Sequence, residues 1–233
     1  IELSESLETI GEFAFNSSGI LSVDFPESLK EIKRYSFFYT NLSRITGGEN
    51  LKVIGENAFF STEIESVNIS DSVESIGDSA FGLCENLSYV TLGAGLTKIS
   101  SDCFYGCKNL GSIKIPENVE VIEENAFASC EKLNEVIFNE KCTYIGKGAF
   151  RGCGFEKVDL PKNLQIIEDG VFSGSLLTEV TIPDTVTDLV YSGFNRCKNL
   201  GIINVPEKVV NIGGHMFDNT KWYEEKPDGE VYL

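Results

Sequence analysis

The chain has 233 residues, 42% hydrophobic and 24% charged, a composition that fits a folded domain. It contains no apolar run near the roughly 18 residues of a membrane span, so direct membrane insertion is excluded. A formal charge of −17 excludes nucleic acid as the main partner, because that surface rewards clustered Lys and Arg.

The chain opens on Ile1 in mid-pattern and reads as part of a longer protein. From there Leu7, Ile10 and Phe15 set out a spacing that recurs to the C-terminal end. The phenylalanines are Phe15, Phe37, Phe59, Phe81, Phe104, Phe127, Phe150, Phe172, Phe194 and Phe217. Five residues before each is an aliphatic, from Ile10 through Leu189 to Ile212. Three before that is another apolar residue, with Cys142 the one departure from Leu or Val. Three after each phenylalanine comes Ser18, Thr40, Thr62, Cys84, Cys107, Cys130, Cys153, Ser175, Cys197 or Thr220, always Ser, Thr or Cys.

Next in each copy is an alternating pair: Val23/Phe25, Val67/Ile69, Val90/Leu92, Ile113/Ile115, Val136/Phe138, Val158/Leu160, Val180/Ile182 and Ile203/Val205. Alternation predicts a short strand with one face buried. Pro26, Pro116, Pro161, Pro183 and Pro206 follow, where a residue without an N–H ends a strand. Ile45–Gly47 is the weak copy, since Gly47 brings no side chain to the core. Between aliphatic and phenylalanine, the Ile-Gly-Glu-x-Ala-Phe pattern predicts a short helical turn. Glu12, Glu56, Asp78, Glu124 and Asp169 stand at its start, where a helix dipole favours an acid, while Arg34 and Lys147 depart from the trend.

Phenylalanine spacings are 22 or 23 residues, and one step accounts for the difference. The longer copies place two residues between the small residue and the next apolar one, as in Cys84-Glu-Asn-Leu87. The shorter ones place a single residue there, as in Thr40-Asn-Leu42. That step is predicted to be an exposed turn that tolerates insertion.

A period of about 20–29 residues with one strand per copy is the leucine-rich-repeat signature. The pattern x-Ile-Gly-x-x-Ala-Phe-x-x-Cys-x-x-Leu-x-x-Val-x-Ile-Pro is clearest from Val73 to Leu92, Val119 to Phe138 and Val186 to Val205. It resembles the BspA-type leucine-rich repeats over residues 1–221. The expected fold is an α/β repeat solenoid: a horseshoe of about ten turns with a parallel sheet on the concave face. Short helical or 3-10 turns and short extended segments are expected on the other side. Residues 1–221 are read as one domain and 222–233 as a C-terminal tail, similar to the segment that follows such arrays in Gram-positive surface proteins. The resemblance implies a bacterial surface or secreted protein that adheres to host matrix proteins, other bacteria or epithelium. It brings no family-wide binding residues with it.

No catalytic constellation or phosphate-binding loop is present, so a non-enzymatic chain without cofactor is expected. Cys84, Cys107, Cys130, Cys153 and Cys197 share a position with Ser and Thr, which reads as a buried ladder inside the solenoid. Cys142 and Cys103 replace core residues. Ladder side chains point the same way, poor geometry for a disulfide, and a linear stack does not close a tetrahedral zinc site. His215 is the only histidine and reads as a solvated surface residue. Asn16, Asn41, Asn68 and Asn86 begin N-x-Ser triplets that read as accidental.

Binding is expected on outward residues of the concave sheet: Arg44, Tyr89, Lys114, Glu135, Ile137, Lys157, Asp159, Glu179 and Ile202. An exposed tyrosine and two isoleucines among mixed charges suit a protein or glycan partner on a host or bacterial surface. The rival reading is a passive spacer in a larger surface protein, and the chain itself is expected to be a monomer. Phe38, Phe60 and Tyr105, each following its anchor phenylalanine, form a second candidate surface.

Overall fold

In a computed structural model that describes residues 1–225, the repeat winds a parallel β-solenoid. The ten phenylalanines stack face to face through nine steps, with centroids 5.1–6.0 Å apart and ring planes within 16° of parallel. The chain therefore completes about nine circuits, and the expected ten counts phenylalanines instead. Within the column every member from Phe37 to Phe194 is fully buried, and the aliphatic rows pack around it as one continuous core.

Two sheets flank the column. One is built from two-residue strands carrying the aliphatic row, such as Thr9–Ile10 paired in parallel with Glu31–Ile32. It runs in three stretches, interrupted after Ser75–Ile76 and after Tyr144–Ile145. The other carries the alternating pairs and is bonded only two strands at a time. Ser22–Phe25 pairs with Arg44–Gly47, Ser66–Asn68 with Tyr89–Thr91, Ser112–Lys114 with Glu135–Ile137, and Glu179–Thr181 with Ile202–Asn204. The prolines fall just beyond, where each starts a turn; the Val119 N–H, for example, donates to the Pro116 carbonyl at 3.1 Å.

The expected helical turn does not form. Among the described residues the only helix is Lys221–Glu224, so the fold is a β-solenoid and not α/β. In its place each copy has a compact turn with left-handed backbone two residues before and two residues after the phenylalanine. Asn57 (φ 52°) and Ser61 (φ 55°) show this around Phe59, and Gly170 (φ 62°) and Gly174 (φ 74°) around Phe172. This alternation sends every second N–H along the solenoid axis. Phe59 N–H donates to the Ala80 carbonyl at 2.8 Å, flanked by Asn57 to Asp78 and Ser61 to Gly82. Three such bonds cross each of the nine steps, 27 in all. The turn column is the one side of the solenoid bonded without a break.

Without a helix, the acids before the phenylalanines need another explanation. They sit in a row along the axis, and the two departures are their partners. Arg34 pairs with Glu12 at 3.1 Å, and Lys147 with Asp169 at 3.0 Å, each across one turn. Exposed pairs of this kind add little to stability.

The Ile45–Gly47 copy differs from expectation. Arg44–Gly47 forms one of the two longest strands, and the absent side chain shows instead as a small apolar cavity of about 30 Å³ beside Ile45 and Val67. Gly47 is required there, because φ is 75° and a Cβ would lie 2.1 Å from the Phe25 carbonyl oxygen. The Val158/Leu160 pair also departs, since no strand forms over it.

The insertable step holds as an extra turn. Only the 23-residue copies close it, through Leu87 N–H to Cys84, Leu110 to Cys107, Leu133 to Cys130 and Leu200 to Cys197 carbonyls, all at 2.9–3.1 Å. At the C-terminal end Thr220 caps the Lys221–Glu224 helix, and Trp222 packs on Phe217 with ring centroids 5.2 Å apart. The rest of the tail, from residue 226, lies outside the described residues.

Candidate functional site

The nine proposed contact residues fall on two outward rows of the longer-strand face. Arg44, Tyr89, Glu135, Lys157, Glu179 and Ile202 share the first row; Lys114, Ile137 and Asp159 share the second. Tyr89 (61%), Ile202 (56%) and Ile137 (50%) are well exposed, and only Glu179 is half-buried. Strand register sets Lys114 beside Ile137 and Glu179 beside Ile202. Lys157 reaches Glu179 at 2.5 Å, an ion pair that raises the lysine pKa. Arg44 lies two turns from Tyr89 and is not brought to the same patch.

A cleft of about 530 Å³ opens on this face between residues 134–140 and 157–162. It lies at the single step where a 23-residue copy is followed by a 22-residue one. There Phe155 replaces the usual leucine and wedges edge-on between Phe150 and Phe172, at 5.6 and 6.4 Å. Both sheets lose their pairing across this step, while the turn column keeps Gly148 to Asp169, Phe150 to Val171 and Gly152 to Ser173.

On the outer side of the turn column, Phe38 and Phe60 stack at 5.3 Å as neighbours one turn apart. Phe13, Tyr35 and Tyr39 complete a five-ring cluster that sequence reasoning had not assembled. Its signal was present in the spacing, since all three occupy left-handed positions beside the anchor where Asn, Ser and Gly are more usual. Tyr105 makes no ring contact with this cluster. His215 is exposed and bonds Asp218 at 2.6 Å.

The seven cysteines are buried and unbridged. In the ladder, each thiol from Cys84 to Cys153, and Cys197, donates to the carbonyl of the preceding turn's phenylalanine at 3.1–3.2 Å. Burial pushes the thiols up, Cys84 and Cys142 to about 11 and Cys130 to about 12. These are structural thiols, not nucleophiles. Because folded pKa values lie above the unfolded value, the unfolded chain releases protons first. The thiols' contribution to stability should be constant below about pH 9 and be lost as pH rises from there through about 11 to about 12. Chemical unfolding across that range, against a Cys84→Ser/Cys130→Ser variant with a shallower fall, checks this. Native thiols should also resist an alkylating reagent that labels all seven in denaturant.

Among the described residues no group of three or more His, Cys, Asp or Glu is placed to hold a metal ion, and no helix is long and apolar enough to cross a membrane. No curated protein sequence matches the chain. Among solved structures, it is similar to a leucine-rich repeat protein from Bacteroides ovatus, at 23% identity and TM-score 0.72, over 96% of this chain and 79% of that one. A leucine-rich cell surface protein from Faecalibacterium prausnitzii matches at 24% identity and TM-score 0.60, over 91% and 67%. A leucine-rich repeat protein from T. pallidum matches at 25% and 0.55, over 89% and 78%. The model of the BspA type leucine rich repeat region matches six copies, over residues 1–111, 52–176 and 120–224. Stack, spacing and match agree along almost the whole length, and the chain belongs to the BspA-type leucine-rich repeat family.

Proposed function

We propose that this solenoid is a non-enzymatic binding scaffold of a bacterial surface or secreted protein, engaging a protein or glycan through its longer-strand face. The observation that carries the reading is the exposure of Tyr89, Ile137 and Ile202 on two registered rows of mixed charge, in a chain of net charge −17. A face kept only for solubility would share the acidic surplus and omit such anchors. Similarity to a cell surface protein of F. prausnitzii supports the location. Concave curvature of this face, adhesion and a monomeric state belong to the same proposal.

Binding to immobilised host matrix proteins and mucin-type glycans tests it. Tyr89→Ala combined with Lys157→Glu should weaken binding at least ten-fold while the thermal midpoint stays within a few degrees. If charge reversal at Arg44, Lys114 and Glu135 leaves binding and cell adhesion intact, the face is not the site and the chain serves as a spacer.

A further inference from the structure

The cleft on the longer-strand face has a backbone property that its side chains do not reveal. Residues 134–138 and 156–160 exchange no backbone hydrogen bond, although they are one turn apart and carry the ordinary strand pattern. Asn134 N–H donates to Gly111 and Thr178 N–H to Glu156, but Glu156 N–H, like that of Gly111, has no such acceptor. Phe138 N–H is the counterpart of Ile115 N–H, which donates to Ile137, and it too lacks one. The five N–H groups from Glu156 to Leu160 have no acceptor in the described residues, on either side. Leu160 is buried and Val158 half-buried, whereas Glu156, Lys157 and Asp159 are exposed. Buried backbone donors are almost always paired, and exposed ones along a strand-like edge are open to pairing with another chain.

We infer that this cleft is a β-addition site, where an extended polypeptide segment of a partner protein pairs with the backbone of residues 156–160 and the free edge of Glu135–Ile137. The inference rests on the reading that this face binds, and it names the partner's chemistry. From Lys157 to Leu160 exposure alternates as it does along a strand, and alternate N–H groups there match carbonyls with the same two-residue repeat, which another polypeptide has and a glycan lacks. Four such residues span about 13 Å. Val136 and Leu160 make an apolar floor, and exposed Ile137 stands at the rim. Glu135, Asp159 and Lys162 give the rim mixed charge. The matching segment alternates apolar and polar residues and carries little net charge.

The test is selection of a random twelve-residue peptide phage library on the protein, followed by affinity measurement with the selected peptides as synthetic probes. Asp159→Pro removes an N–H that bonds nothing in the protein, so its unfolding midpoint should match the parent. It should bind the peptides at least ten-fold more weakly. N-methylation of alternate peptide amides, with side chains unchanged, should produce a similar loss. The assignment is overturned if no peptide is selected, or if N-methylation leaves affinity unchanged. It is equally overturned if peptides bind Asp159→Pro at full strength but are lost on Tyr89→Ala, an outcome that leaves the strand-face reading standing. Should Asp159→Pro not fold, the N-methyl series decides alone.

Discussion

Phe127→Ala should cost about 3–5 kcal/mol in urea-induced unfolding, the range for a buried aromatic cut back to a methyl group. Phe127 is fully buried and stacked on both sides, 5.3 Å from Phe104 and 5.3 Å from Phe150. Removing it leaves a void that rigid turn backbones on either side do not close, since rungs from Phe104 to Ala126 and from Phe127 to Ala149 hold them apart. The same change at Phe15, half-buried and stacked on one side only, should cost clearly less. Equal losses at the two positions would contradict a column whose interior members carry the core. In a repeat array the loss also appears as an earlier local transition around the sixth copy, because each turn is supported only by its neighbours.

Insertion of one residue should separate the tolerant step from the register-bearing one by a wide margin. Placed between Thr62 and Ile64, an added Asn converts a 22-residue copy to the 23-residue form already present at Cys84-Glu-Asn-Leu87. The expected change is within about 1 kcal/mol, the small cost of lengthening an exposed turn. Placed between Asn125 and Ala126, the same residue displaces four rungs: Phe104 to Ala126, Gly106 to Ala128, Phe127 to Ala149 and Ser129 to Arg151. At about 1–3 kcal/mol for each buried group left unpaired, four lost rungs cost about 4–12 kcal/mol. That is comparable with the whole stability of an ordinary domain. Thermal unfolding of both variants compares them directly, and a tolerated insertion at Asn125 would remove the basis for treating the turn column as the register.

The sequence made the buried rows readable because burial selects size and the repeat samples each position ten times. The phenylalanine column, the thiol ladder and the insertable turn all follow from that. Backbone conformation was harder. Asn57, Asp102, Asn125 and Ser79 before the anchor, and Ser61, Ser129 and Gly174 after it, are residues that tolerate left-handed backbone. Phe13, Tyr35, Leu83 and Arg196 at the same positions hid the pattern, and acids near the turn suggested a helix start. The missing strand at Val158/Leu160 was not locally legible. Its residues alternate normally, and the cause lies in the neighbours: a 23-residue copy followed by a 22-residue one, with Phe155 wedged behind. Along the longer-strand face, exposure of Tyr89, Ile137 and Ile202 followed from alternation alone, whereas the cleft between turns depends on pairing that one copy does not encode.

Assigning the turn column as the spine reverses the usual weighting of a repeat whose strands are its most recognisable element. Residue-resolved native-state hydrogen exchange tests that assignment most directly, because both sides of the solenoid are read in one experiment. The Phe59, Phe81, Phe104 and Phe127 amides should be the slowest to exchange, with protection approaching global stability, and those of Lys157–Leu160 among the fastest in the solenoid. Strand amides at Val67, Val90 and Ile113 that outlast the phenylalanine amides would contradict it.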